Sequence, residues 1–223
     1  LITLGTNLLY YATMEPGMTH VFNFGLIAMF VHYADKWLLK PDFRNTLMCG
    51  LLFGLITLIR PINALVILFP VLWNVSSLKE MQHRFVFLFR HWKQVLLVAI
   101  CVAAVWSPQL FYWKMQTGQF FYNSYNEHFY FGNFNVHKAL FGFRKGWFIY
   151  TPIMFVATLG IFFLRKQFKS VQLSVAVFYI VFVYITFSWW CWWYGGGFSA
   201  RPMTDVYSIM AIPLSVIVAR GLR

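Results

Sequence analysis

Apolar residues gather in long runs along this chain, and polar residues fall between the runs. Eight runs stand out, at roughly 1–14, 18–34, 46–59, 62–74, 94–112, 147–164, 171–189 and 205–219. A stretch such as VAVFYIVFVYITF has neither the strict alternation of a half-buried strand nor the one-sided stripe of a surface helix. Such runs predict helices that cross a bilayer, which need about 20 apolar residues each. Several runs fall short of that, and the first reads as cut. The runs at 46–59 and 62–74 flank Arg60-Pro61, where proline ends a helix, so they form a tight hairpin or one broken helix. The pattern predicts an all-α, polytopic transmembrane protein with about eight membrane segments in a single domain over 1–223. The opening LITLGTNLLYY and the closing VIVARGLR both lie against apolar runs. The expectation is a piece of a longer protein, missing its N-terminal part.

Composition agrees. The chain is 60% hydrophobic, 22% aromatic and 11% charged, against about 25% charged in soluble domains. The net charge of +12 would suggest nucleic acid in a soluble protein. Here the cations cluster in short loops, so membrane topology explains them and a nucleic-acid partner is not expected. With Glu15 placed outside, the inner regions hold Lys36, Lys40, Arg44, Lys79, Arg84, Arg90, Lys93, Arg165, Lys166, Lys169, Arg220 and Arg223. The outer regions hold Arg60, Lys114, Lys138, Arg144, Lys145 and Arg201. Twelve against six fits the positive-inside rule. The outer cations sit in aromatic or turn-rich strings, LIRPIN, GFRKGW and FSARPM, and call for anionic partners on the outer face. The inner face meets membrane lipid headgroups.

Candidate chemistry lies on the outer side. The stretch 114–146 reads as a large aromatic extracytoplasmic loop, with Tyr125 and Glu127 among its polar groups. It is either an interfacial aromatic belt or the wall of a cavity for a sugar or lipid head. Arg60 is a snorkelling arginine or a phosphate ligand, since a guanidinium matches phosphate oxygens with a two-pronged fork. Glu15, ahead of Pro16-Gly17 and His20, is a turn residue, a helix-terminus anion or a site carboxylate. The string SWWCWWYGGGFSARP joins Trp193, Tyr194 and Gly196 to Arg201. Tryptophans mark where a helix leaves the bilayer, the glycines permit left-handed backbone, and Arg201 brings a cation to the outer surface. A ring-lined, Gly-walled, cationic notch suits a sugar and its phosphate. Cys49, Cys101 and Cys191 are isolated and lack metal-ligand spacing.

Taken in order, EPGMTH, LIRPINALVILFP, SPQLFYWK…TG, LFGFRKGWFIYTP and WWYGGGFSARPMTDVYSIMAIPL resemble bacterial multi-spanning glycosyltransferases of the C superfamily. The resemblance is to the dolichyl-phosphate-mannose protein mannosyltransferase-like and lipid A aminoarabinose transferase-like enzymes, and runs over essentially the whole chain. It implies a polyprenyl-phosphate-linked sugar donor, a glycan, lipid or protein acceptor, and residence in a bacterial inner membrane with the site facing the extracytoplasmic side. It implies donor-phosphate binding by Arg60, Arg144, Lys145 and Arg201. Glu15, His20, Tyr125, Glu127, Trp193, Tyr194 and Gly196 would line the substrate cavity. The family's acidic catalytic residue sits in a first outer loop that would precede Leu1. Glu15, Glu127 and Asp205 match no catalytic acid of the family. No cofactor is implied with certainty, and assistance from a divalent cation is left open. A membrane transporter, an O-antigen ligase or polymerase-like enzyme and a structural membrane subunit are the rival readings.

Overall fold

A computed structural model describes residues 1–122, 128–132, 135–167 and 169–221. The chain is all-α. Its helices are α1 (Ile2–Gly5), α2 (Leu8–Thr13), α3 (His20–Leu39), α4 (Phe43–Ile59), α5 (Leu68–Leu72), α6 (Leu78–Arg90), α7 (Trp92–Thr117), α8 (Val136–Phe141), α9 (Trp147–Tyr150), α10 (Pro152–Gln167), α11 (Lys169–Phe187) and α12 (Tyr207–Gly221). Two 3-10 segments, Pro61–Ile67 and Arg201–Val206, lead into α5 and α12. No strand occurs among the described residues; an isolated antiparallel bridge pairs Phe129 with Trp189.

Three helical stretches are long and apolar enough to cross a membrane: Trp92–Thr117, Lys169–Phe187 and Arg201–Gly221. Phe43–Ile59, Pro61–Leu72 and Pro152–Leu164 are apolar but shorter. The run at 1–14 is two short helices, because Thr6 takes an extended conformation between them. The two runs around Arg60 form a hairpin. Arg60 is extended, at φ −148° and ψ 108°, as a residue before proline prefers.

Two stretches read as loops contain helix. The aromatic stretch 114–146 carries the last turn of α7 and all of α8. The basic stretch 75–93 carries α6, which starts at a capping box. Ser77 Oγ accepts from Glu80 N at 3.2 Å, and the Glu80 carboxylate reaches back to Ser76 N at 2.5 Å. A search for long apolar runs passes over α6, since its longest apolar run is the five residues 85–89.

Helix packing separates a core from a perimeter. The core brings α3, α10, α11 and α12 together around Ile27, Phe30, Trp147, Met154, Phe178 and Met210. Helix α7 lies outside it, with only 6% of its most apolar window buried against 61% for Arg201–Gly221. It docks on α4 along one seam. A Cβ at Gly50 would stand 2.6 Å from Cys101 Cβ, and one at Gly54 2.9 Å from Val105 Cβ. Small residues four apart let two helix backbones approach this closely, and packing of that kind needs no water to drive it.

The bundle has two distinct ends. At one, the Trp37 and Phe87 rings meet edge to face at 5.7 Å, Lys169 lies in the field of Glu80, and Arg220 covers the Phe163 ring at 4.8 Å. The end of α3, α6, Lys169 and the end of α12 therefore gather there. At the other end, Lys145 donates to Gly195 O, Tyr130 N to Ser188 O at 2.7 Å, and Arg60 reaches both His20 and Asp205. Among the described residues, Arg84, Lys169 and Arg220 thus lie toward the first end and Arg60, Lys145 and Arg201 toward the second.

Candidate functional site

Two Arg-Pro pairs build the second end. Each proline sits in the first turn of a 3-10 segment, where its missing N–H leaves no helical bond unmade. Asn63, two residues after Pro61, and Asp205, three after Pro202, are thereby turned inward to face each other. Asn63 Nδ2 donates to Asp205 Oδ2 at 2.9 Å. His20, opening α3, donates from Nδ1 to Asp205 Oδ1 at 3.0 Å. Arg60 Nη1 lies against the same ring, 2.6 Å from Nδ1 and 3.1 Å from Nε2. Arg60 Nη1 also lies 3.4 Å from Asp205 Oδ2. Asp205 is fully buried and His20 nearly so, while the Arg60 side chain is 18% exposed. A carboxylate buried this way without partners would carry a large desolvation cost. Three donors on two oxygens are what hold it.

The string 195–201 lies above this network and is held from below by a buried polar ladder. Trp147 Nε1 donates to Tyr207 Oη at 3.1 Å, and Tyr207 Oη to Asn7 Oδ1 at 2.6 Å. Asn7 Nδ2 and Tyr11 Oη then both donate to the Phe198 carbonyl, at 3.2 and 2.8 Å. Gly197 occupies left-handed backbone, φ +92°, and a Cβ there would stand 2.7 Å from Tyr11 Oη and 3.5 Å from Glu15 Oε2. Tyr194 and Ser199 also have positive φ, at 54° and 57°, which side-chain-bearing residues rarely adopt. The loop is thus strained on both sides of its glycines, and the ladder under Phe198 sustains that strain.

Around Gly197 the polar groups are incompletely satisfied. Glu15 Oε1 accepts from Tyr10 Oη at 2.7 Å, but Oε2 is buried without a partner. Arg201 Nη1 reaches the Met18 thioether at 3.6 Å, and its Nε is buried without a partner. A thioether is a weak acceptor for a group with five N–H donors. Lys145 stands within the fields of Arg201, Glu15 and Arg144, and partial burial, aided by the Arg201 charge, holds its ammonium below the usual lysine range. Two cations and one carboxylate therefore gather about the glycine string, with no Cβ at Gly197.

The structure joins some of the expected residues and separates others. Glu15, Lys145, Arg201 and the glycine string come together. His20 and Arg60 belong to the deeper Asp205 network. Arg144 lies over the Trp193 ring at 3.9 Å, so that ring serves as a cation's seat. Tyr194 turns its hydroxyl inward to the Thr186 carbonyl at 2.6 Å, and burial pushes the phenol above its ordinary range. Of the three glycines, Gly195 and Gly197 take positive φ; Gly196 does not, and open space surrounds it. Tyr125 and Glu127 lie outside the described residues. Among the described residues, no three His, Cys, Asp or Glu side chains gather as metal ligands.

Asn63 is the site residue that sequence reading passed over, and Asp205 was weighed there only as a catalytic acid and given no role. A signal was present: each follows an Arg-Pro break, and an acid at the mouth of an apolar run needs a buried partner. In comparisons with protein-family profiles, curated proteins and solved structures, nothing matches the chain.

Proposed function

We propose that the chain forms part of an integral-membrane glycosyltransferase that uses a polyprenyl-phosphate-linked sugar. The acceptor is a lipid, glycan or protein, and the reaction takes place at the end bearing the glycine string. On this reading the basic end faces the cytoplasm of a bacterial inner membrane and the notch faces away from it. The observation that carries the proposal is the pair of unsatisfied buried groups flanking Gly197, Arg201 Nε and Glu15 Oε2. A cation and an anion at the glycine string, each with hydrogen-bonding capacity unused, suit a ligand with both phosphate and hydroxyl groups.

In the reaction, an acceptor hydroxyl oxygen forms a bond to the anomeric carbon as the carbon–oxygen bond to phosphate breaks. The hydroxyl proton passes to a base, and polyprenyl phosphate departs with the bonding electrons. The leaving phosphate gains negative charge, so Arg201 and Lys145 stabilise the transition state more than the bound donor. Arg60 is held by Asp205 and His20, and the Arg144 guanidinium lies over the Trp193 ring.

Arg201→Ala tests this. Losing a charge-assisted hydrogen bond costs about 1.5–3 kcal/mol, so polyprenyl-phosphate release is expected to slow by roughly one to two decades. Arg201→Lys, which keeps the charge without the planar fork, is expected to recover only part. Near-normal turnover by Arg201→Ala together with a collapse in yield would make Arg201 a structural anchor.

A transporter is the second reading, favoured by one observation: the buried Asp205–His20–Arg60 cluster, since ionisable groups within a helical bundle often mark a substrate or ion path. Proteoliposome uptake that depends on Asp205, without release of polyprenyl phosphate, would establish it over the transferase.

A further inference from the structure

We infer that α6 is an interfacial helix, lying in the headgroup layer of an anionic leaflet at the basic end of the bundle. Successive residues of a helix turn by about 100°, which sorts α6 into two faces. One turns toward the bundle: Glu80, His83, Arg84 and Phe87 line a cleft of about 310 Å³ with Asn74 and Val75, and Phe87 packs on Trp37 with Leu88 against the core at its edge. Leu78, Phe85, Val86 and Phe89 form the remaining face, and all are exposed, Leu78 at 85% and Phe89 at 82%. Water is a poor neighbour for two phenylalanines and a leucine on one face of one short helix.

Two observations say what covers that face. The first is continuity. Helix α6 runs into α7 through the single residue His91. The exposed face of α7 begins at once with Trp92, Val95 and Leu96 and continues to Ile100. Since α7 is long and apolar enough to cross a membrane, the two faces form one apolar surface that turns a corner at His91. The second is charge. Lys79, Arg90 and Lys93 are exposed beside the apolar face, and Glu80 is the only acid in α6. A helix with phenylalanine and leucine on one side and cations beside them is built for an anionic lipid surface. Arg84 is an exception, since its guanidinium donates to Trp73 O at 2.5 Å and ties α6 to the end of α5.

The inference rests on the membrane reading, and its test separates the two. Nitroxide labels at Phe85→Cys, Phe89→Cys and His83→Cys are compared with a control at Ile100→Cys in α7. Cys191→Ser serves as background, the other two cysteines being buried. The protein is placed in nanodiscs of phosphatidylcholine alone or mixed with phosphatidylglycerol. Oxygen, which concentrates in lipid, and a water-soluble nickel chelate report each label's surroundings. Labels 85 and 89 are expected to favour oxygen several-fold more than label 83, and more so with phosphatidylglycerol present. Lys79→Gln with Arg90→Gln is expected to remove that lipid dependence. Labels 85 and 89 favouring the nickel chelate would put α6 in water and overturn the inference. Shielding from both reagents would mean that a protein covers the face, and would overturn it equally. Depths that ignore phosphatidylglycerol would refute the anionic preference. If Ile100→Cys itself favours the chelate, the membrane reading falls and the inference falls with it.

Discussion

At one end of the bundle Lys79, Arg90 and Lys93 project from the surface with little to hold them. At the other, each described cation from Arg60, Arg144, Lys145 and Arg201 touches a named group: a carboxylate, an indole ring, a carbonyl and a thioether. The same residue types therefore stand as exposed charges in Lys79, Arg90 and Lys93 and as fitted components at the other end, while Arg84 and Arg220 at the first end are held by the Trp73 carbonyl and the Phe163 ring. Burial makes the difference. Exposed ion pairs and lone cations contribute little because water already satisfies them. Beside a buried Asp205 the low dielectric strengthens each contact, and leaves any missing partner uncompensated.

The largest expected effect breaks the site end. Asp205→Ala leaves Arg60 charged in a mostly buried place, which destabilises by roughly 3–5 kcal/mol. Thermal unfolding in detergent should show a strong fall. Arg60→Met combined with Asp205→Leu should recover much of it, because no charge is then left alone. If both variants fall equally, the network matters through shape and not through charge.

Gly197→Ala comes next. Left-handed backbone costs an alanine about 1–2 kcal/mol, and the new methyl group meets Tyr11 Oη at 2.7 Å. Adding Tyr11→Phe should relieve the contact but not the backbone strain, so a melt of the double variant should lie between wild type and Gly197→Ala after allowing for Tyr11→Phe alone. Full recovery would show that the backbone there tolerates a side chain.

A smaller effect is expected with pH. Lys145 titrates below its ordinary 10.5 in the folded protein, chiefly because burial disfavours its charge. Between that lowered value and 10.5 the unfolded chain binds more protons, so this residue's contribution makes stability rise with pH through the window. Wild type should therefore gain on Lys145→Met as pH climbs there, while Lys145's hold on an anion weakens. A wild-type melting point that falls relative to Lys145→Met over the same window would contradict the assignment.

The smallest effect sharpens the contrast. Arg90→Ala, at the exposed end, should shift unfolding by no more than about 0.5 kcal/mol. A loss comparable to that of Asp205→Ala would mean that the basic end is also a fitted structure.

Long apolar runs could be read directly, because a helix in lipid needs a length of apolar residues and nothing from its neighbours. The runs at 94–112 and 171–189 accordingly became α7 and α11. The described cations Arg84, Lys169 and Arg220 also gather at one end, the end to which alternation along the chain assigns their loops. Helix α6 was not legible in that way, for its apolar residues only make a face once the chain is wound. The pairing of Asn63 with Asp205 and of Gly197 with Tyr11 was also beyond reach. These residues lie far apart in sequence, and only the packing of α2, α3 and the two 3-10 segments brings them within a few ångströms. By itself the sequence determined which stretches are apolar helix and where proline and glycine interrupt them, because those are local properties of backbone and side chain. Which cation is fitted and which is solvated was decided by tertiary structure alone, since burial and partnership are properties of distance and not of residue type.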